Sequence, residues 1–479
     1  MRATVDDNRS TIRVTARPAD GSFRDPSSRV FIDGADVWRG LTAEGLADFQ
    51  ALAASQFFTA ALDRGDIIAT EVGSDPSAIA GNWAGVLRHG RVDVLSYPYE
   101  WSFEMLRDAA RLQLELTREA LSESLITKDA SAYNVQFVGA KPVFIDVGSF
   151  ERVRPGEPWT GYRQFCELFL NPLYLQALTD VPFQPLLRGR VEGITPGVAA
   201  AIMGSRGRLR TGVFTNVRLH ARAERKYANA DREGDVRAEL RRVGFGPGLI
   251  DAQLRNLQKA VERLTWKEQD STWSDYSDRG HYTDVDLAAK SSFVADAVAK
   301  ARSAPIVLDL GANDGRFSRI AVDSGARYAV AVDSDHLVVD RLYRQLREQG
   351  ERRILPLVLD VADPSPAIGW RGRERLSFAA RMRPDLVLCL AVVHHLALTA
   401  NVPLDEIVSF LADFGAPVVV EFPHRTDPMA TRLLARKRSG LFDSYDIVQW
   451  ERSLEQRFTV SERLTLSGGT RTLYRAEPR

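Results

Sequence analysis

IVLDLGANDGRFSRIA, residues 306–321, decides how the last third of this chain folds. A short apolar run, rich in Ile, Val and Leu, reads as a buried strand. It gives way to Gly311-Ala-Asn-Asp-Gly315, and the turn opens onto a helical segment. Glycine tolerates positive φ and lets the backbone approach a ligand closely. A helix opening at that point offers free N–H groups to ligand oxygens. Outward from this stretch, β-branched runs alternate with helical ones: YAVAVD, ILPLVLD, PDLVLCLAV and APVVVEF, then RFTVSERL and TRTLYRAE. Strands alternating with helices predict right-handed crossovers and a mostly parallel sheet. The last two strands are joined by only the short turn SGGT and predict an antiparallel hairpin.

The ends of these strands carry the chemistry. In an open α/β sheet, ligands bind beyond the carboxyl ends of the strands. The first strand ends in Asp309, the second in Asp333, the third in Asp360 with Val361 beside it, and the fifth in Glu421. The fourth, PDLVLCLAVVHHL, ends in His394 and His395. Successive side chains at a strand end point opposite ways, so one of the two histidines is expected to be packed. An acid about 20 residues beyond a Gly-rich turn suits ribose hydroxyls; Asp333 could instead be only a helix cap, but its place at a strand tip beside the loop favours the ligand. Cys389 is expected to be core packing.

The pattern is D-x-G-x-x-x-G, not the G-x-G-x-x-G of dinucleotide binders. It resembles motif I of the class I S-adenosylmethionine (SAM)-dependent methyltransferases. That resemblance covers residues 303–479 and a lead-in helix at 286–301. It implies a Rossmann-like domain with SAM as cofactor. Asp309, Gly311 and Gly315 would line its methionine portion, with Asn313 and Asp314 as further candidates. Asp333 would take the ribose hydroxyls, and Asp360 and Val361 would face the adenine. It also puts His394, His395 and Glu421 where a methyl acceptor would lie. A hydroxyl acceptor gains from a base of near-neutral pKa, which histidine supplies. No Asn/Asp-Pro-Pro-aromatic segment follows the fourth strand, which argues against a nucleic-acid base as acceptor. Upstream, Trp273, Tyr276, His281 and Tyr282 crowd a polar stretch and could cover the cofactor as a cation–π lid.

The N-terminal half reads differently. Residues 1–27 are polar and predict a loose tail. VFIDGADVWRGL predicts a strand or hairpin, and residues 42–65 an amphipathic helix from Thr42 to Gly65. Residues 84–97 predict two strands around a His-Gly turn, followed by a long helix from Phe103. Then comes LITKDASAYNVQFVGAKPVFIDVGSF, with Asp129, Asn134 five residues on, a strand pair turning at Gly139, and Asp146-Val-Gly148. An Asp, a metal-binding Asn and a D-x-G Asp occur in that order in kinases. The segment resembles the catalytic and metal loops of the protein-kinase-like fold. It departs from that pattern in reading T-K-D, in lacking a clear Gly-rich phosphate loop, and in having no lysine between residues 28 and 105. Arg39, Arg88 or Arg91 could substitute only imperfectly, and Glu71 lacks its partner. The same three residues could simply cap turns of a hairpin.

Composition sets the outer limits. The chain has 479 residues, 63 Lys+Arg against 63 Asp+Glu, and two cysteines, Cys166 and Cys389. At about 100–200 residues per domain, more than one domain is expected. Two distant cysteines in apolar segments exclude a disulfide framework or a cysteine zinc site, and no metal site is expected. Balanced charge argues against nucleic acid as a partner, despite a basic excess over Arg206–Lys267. No apolar stretch is long enough to span a bilayer, the N-terminus lacks a signal-peptide core, and a cytoplasmic location is expected. The expected organisation is an α/β chain: a tail (1–27), an α+β, helix-rich kinase-like module (28–265), a linker with the lead-in helix (266–302), and the methyltransferase domain (303–479). DASAYNVQF, PVFIDVGSFE and PWTGYRQFCELFLNPL, together with LAVVHHL, resemble rhizobial nodulation-type methyltransferases and their actinobacterial relatives. This implies a small-molecule, glycan or lipid-linked acceptor. A bifunctional protein with a Mg-nucleotide site, or a scaffold binding SAM without turnover, are the alternatives. The oligomeric state is not legible.

Overall fold

A computed structural model describes residues 16–34, 36–73, 79–204, 246–267, 282–438 and 440–479. The expected lid residues Trp273, Tyr276 and His281, and most of the basic stretch, lie outside these.

The N-terminal half opens with five strands, β1 (Arg17–Pro18), β2 (Ser28–Asp33), β3 (Asp36–Leu41), β4 (Thr70–Val72) and β5 (Gly85–His89). They form one antiparallel sheet in the order β1-β2-β3-β5-β4. The expected hairpin is β2–β3, with Gly34 in the left-handed conformation at its turn. Residues 16–27 are not a loose tail. Arg17 and Pro18 pair with Ile32 and Phe31, and Asp25 folds the following chain by accepting from Ser27 N and Ser28 Oγ, both at 2.8 Å. Short side chains that bond nearby backbone supply order that an apolar count does not register.

The expected helix over 42–65 is two, α1 (Ala43–Ala53) and α2 (Gln56–Arg64). Thr42 caps the first and Gly65 (φ 64°) ends the second, but Ser55 interposes a cap of its own. Of the two strands expected over 84–97, only β5 forms. The second gives way to irregular chain that runs into the single buried turn Pro98–Glu100. Beyond it, α3 (Phe103–Ser122) is capped by Ser102 and buries Met105, Leu106, Ala109, Leu114 and Leu121. β6 (Leu125–Thr127) pairs with β9 (Phe150–Arg152), and β7 (Val135–Val138) with β8 (Lys141–Phe144), so the acidic segment is built as two small antiparallel ladders.

The C-terminal sheet has seven strands, β10 (Ile306–Leu310), β11 (Tyr328–Asp333), β12 (Ile354–Val358), β13 (Leu386–Cys389), β14 (Val418–Pro423), β15 (Phe458–Thr465) and β16 (Arg471–Pro478). Their order is β12-β11-β10-β13-β14-β16-β15, with the first five parallel and the last hairpin antiparallel, as expected. β11 to β14 are almost wholly buried, which is why they read as continuous apolar runs. The chain leaves β10 towards β11 on one side and returns to β13 on the other. That reversal is the topological switch point, and it opens a crevice above β10 and β13.

The two halves share one continuous apolar core, from Leu41 through Ala476. Polar contacts cross the seam as well. Asp340 accepts from Glu104 N at 2.8 Å and so helps cap α3. Asp108 takes Arg347 (2.6 Å) and the Tyr343 hydroxyl (2.8 Å). Tyr328 OH accepts from Gly139 N, and a wholly buried Arg381–Glu100 ion pair closes the contact.

Candidate active site

A cavity of about 340 Å³ lies at the carboxyl edge of β10 to β13. Each of these strands contributes to its lining: Gly311 and Asn313 after β10, Asp333 and Ser334 at β11, Leu359 to Ala362 after β12, and Leu390 to Val392 after β13. The helix Val393–Leu398 adds His395 and Leu396.

The Gly-rich turn is held open by geometry. Gly311 has φ 74°, and a Cβ there would come within 2.4 Å of Val392 Cγ2. Its N–H and that of Ala312 both donate to Val332 O at 2.9 Å, which pins the turn to β11. Asn313 and Ala391 line the cavity from left-handed backbone (φ 48° and 57°), conformations that non-glycine residues adopt mostly where structure over-determines them. Gly315 (φ 74°) serves a different purpose. A Cβ there would meet Leu342 Cδ1 at 2.8 Å, so it lets the turn pack on the helix His336–Glu348 and does not line the cavity. Asp314 is exposed, and its carboxylate accepts from Arg316 N.

The strand-end acids divide into two kinds. Asp333 accepts from Asn313 N and Asp335 N, both at 2.9 Å, and burial raises its pKa. Ser334 N also bonds this carboxylate, which still keeps lone-pair capacity for a ligand in the cavity. Asp360 is exposed at the rim and folds its own turn by accepting from Ala362 N. Asp309 does not line the cavity. It sits inside β10, accepts from Ser318 Oγ at 2.6 Å, and is pushed up to about 6 by burial. Glu421 is likewise within β14 and wholly buried, and it does not line the cavity. It accepts from Lys290 Nζ at 2.6 Å and Tyr282 OH at 2.7 Å, with Arg471 Nη1 at 3.3 Å. Burial acts to raise its pKa, but the two cations outweigh it and hold the carboxylate below its usual range. Arg471 continues the network to Asp427 at 2.7 Å.

The histidines begin a helix and do not end a strand. Their rings lie 4.0 Å apart at 40°. His394 is fully buried, while His395 lines the cavity. Burial, with a further push from the Arg471 charge, lowers His395 to about 4, so its imidazole is neutral at pH 7 but a weaker base than the near-neutral one expected from the sequence.

In the N-terminal half, Asn134 Nδ2 donates to Asp129 Oδ1 at 2.8 Å. Burial and the adjacent Asp146 raise Asp129 to about 7. Asp146 is paired with Arg39 Nη1 at 2.7 Å, and Arg39 comes from β3, the middle strand of the first sheet. Arg88 is spent on an exposed pair with Asp36.

Sequence reasoning missed Ser334, Ala391, Thr399 and the Lys290–Glu421–Arg471–Asp427 chain. Lys290 and Arg471 carry no local motif. Each is a single cation whose partners come from elsewhere in the sequence.

Nodulation protein NoeA of Rhizobium meliloti (strain 1021) is 34% identical to this chain over 463 residues, 95% of both proteins. This chain belongs to the NoeA family. No family model matches it. Among solved structures, the N-methyltransferase NodS of Bradyrhizobium japonicum WM9, in complex with S-adenosyl-L-homocysteine, overlaps 44% of this chain and 99% of its own. Its identity is 13% and its TM-score 0.31. The bifunctional kinase-methyltransferase WbdD overlaps 43% of each chain, at 18% identity and a TM-score of 0.30. Among the described residues, no helix is long and apolar enough to cross a membrane.

Proposed function

We propose that this NoeA-family protein is a SAM-dependent methyltransferase (EC 2.1.1), acting on a hydroxyl of a small-molecule, glycan or lipid-linked acceptor. One observation carries the reading: the crevice above four adjacent parallel strands is lined by a left-handed glycine, a strand-end carboxylate and a neutral imidazole. The donor set fits the cofactor. Asp333, with lone pairs left over, suits two ribose hydroxyls, and Asp360 with Val361 suits an adenine edge and face. Gly311 and Asn313 give room for the methionine portion, and the volume is within the range of small-ligand sites. When bound, SAM supplies an electrophilic methyl on a cationic sulfur. The chain's own residues do the rest. Apolar Leu390, Val392 and Leu396 exclude water beside the reacting groups, which favours in-line approach. His395 takes the acceptor's hydroxyl proton as the oxygen gains its new bond. His394 holds the neighbouring ring from behind. Asp309 and Glu421 act as framework: Asp309 ties β10 to the helix after the turn, and Glu421, through Lys290, anchors β14 to the lead-in helix, Asp284–Lys300.

A second reading concerns the N-terminal module: kinase-like and able to hold a Mg-nucleotide. It is favoured by the meeting of Asp129, Asn134 and Asp146 in one cluster, with Asn134 bonded to Asp129 at 2.8 Å, whereas the Arg39 guanidinium on Asp146 opposes a cation there. Calorimetry separates the two. S-adenosylhomocysteine binding to the full chain, lost in Asp333→Ala, supports the first. Absence of binding by the wild-type protein overturns it. Mg-ATP binding lost in Asp146→Ala supports the second. Labelled SAM incubated with fractionated cell extract then identifies the acceptor.

A further inference from the structure

The connection from β12 to β13 has two ends that do different things. Its first residues, Leu359 to Ala362, are a wall of the cavity. Immediately after them Asp363 is gripped by Arg188 of the N-terminal half, at 2.7 Å to the carboxylate and 3.1 Å to the carbonyl. The connection then folds back on itself. Ile368 pairs with Arg375, and Phe378 N closes the neck on Ser365 O at 2.9 Å.

The tip of this hairpin is bound to the loop between β1 and β2. Glu374, buried, takes both Arg24 Nε (2.9 Å) and Nη2 (2.5 Å) and also accepts from Trp370 N. Arg373 pairs with Asp20 at 2.7 Å. A Cβ on Gly21 would lie 2.5 Å from Glu374 O, so the two backbones touch where only glycine fits. The hairpin reaches the other side of the N-terminal half too. Arg375 stacks 4.1 Å above the Tyr133 ring, next to Asn134. From the β1–β2 loop, Ser27 accepts from Lys128 beside Asp129 at 2.9 Å. Ser28 accepts from Arg39, the partner of Asp146.

We propose that residues 361–377 are a strap shared by both halves: a nucleoside in the C-terminal cavity tightens the β1–β2 loop over the Asp129–Asn134–Asp146 cluster, and the N-terminal half in turn sets the adenine-side wall. Arg188, Arg24 and Glu374 are positioning residues that act through this segment. The inference rests on the cavity binding a SAM-like nucleoside. Coupling of this kind is reciprocal, so weakening the far clasp must weaken the ligand.

Hydrogen exchange on the full chain, with S-adenosylhomocysteine as probe, tests it. The ligand is expected to slow exchange at the cavity, over 361–377, and over 19–27. In Arg24→Gln, at an exposed side chain whose amide can still donate to Glu374, protection of 19–27 no longer responds to ligand. Affinity falls about threefold to tenfold, and Arg24→Lys recovers part of it. Wild-type protein that binds the ligand with protection confined to the cavity overturns the strap and leaves the cavity reading standing. So does Arg24→Gln that keeps the distant response. No binding to wild-type protein overturns the cavity reading, and the strap with it.

Discussion

The two acidic constellations of this chain are satisfied in opposite ways. In the C-terminal crevice, Asp333 is held by backbone N–H groups and still faces the cavity. In the N-terminal half, Asp146 is neutralised by a buried guanidinium, and Asp129 bonds its own Asn134. A backbone amide fixes a carboxylate's direction without cancelling its charge, so the group remains available to a ligand. A guanidinium supplies charge and geometry together and leaves less for a ligand to gain. The same distinction runs through the C-terminal domain, where Glu421, enclosed by Lys290 and Arg471, belongs to the framework.

Gly311→Val is expected to have the largest effect. It forces a β-branched residue into left-handed backbone and drives its Cβ into Val392. We expect loss of S-adenosylhomocysteine binding by calorimetry and a stability loss of several kcal/mol by denaturant unfolding. A variant that still binds would mean the turn does not shape the site.

Next in size is the buried ion chain. Lys290→Met leaves Glu421 short of one of its two cations in a wholly buried place and should cost about 3–5 kcal/mol. Lys290→Met with Glu421→Leu should recover most of that, because replacing both partners removes the orphaned charge. If the double variant is as unstable as the single, the pair contributes more than mutual neutralisation.

A smaller effect, of opposite sign, is expected in the N-terminal cluster. Asp129 has a folded pKa of about 7, above its unfolded value. The folded state therefore binds the extra proton, and stability is present at low pH and lost as pH rises through about 4 to 7. Asp129→Asn keeps the oxygen that Asn134 bonds and removes the charge. Its melting temperature should match wild type near pH 4 and exceed it by a few degrees at pH 8. A variant less stable at pH 8 would show that the cluster needs its charge.

These cases explain what could be read in advance. The apolar runs of β10 to β14 and the glycines between them are local signals, because strand period, burial and positive φ are each written within a few residues. Hence the parallel sheet and its closing hairpin were legible, and so were Gly311, Asn313, Asp333, Asp360 and Val361 around one crevice. The roles of Asp309 and Glu421 were not. An acid in or at the end of a strand looks the same in sequence whether its side chain meets a cavity or a lysine from a helix over a hundred residues away. The order in residues 16–27 was hidden in part for the same reason, since beside its local bonds at Asp25 it has partners in Glu374 and Arg373 of the other half. Position 394–395 misled in detail. The reading of a strand end assumed alternating faces, whereas the chain had already turned helical, and helical rotation is what buries His394 and leaves His395 at the cavity.

The smallest expected effect bears on that last distinction. If His395 takes the acceptor's proton, only its neutral form is competent. With its pKa held at about 4 by burial and the Arg471 charge, nearly all of it is neutral at pH 6. An imidazole at the ordinary value of about 6.5 would be only about one-quarter neutral there. The methyl-transfer rate, measured in single turnover so that product release does not mask it, should therefore stay flat from pH 8 down to about 5 and fall only below that. A midpoint near 6.5 would place the titrating group in water, and His395 would no longer be the base. A flat profile that His395→Asn leaves unchanged in rate would show that the crevice needs no base, which favours an acceptor already nucleophilic at neutral pH over a hydroxyl.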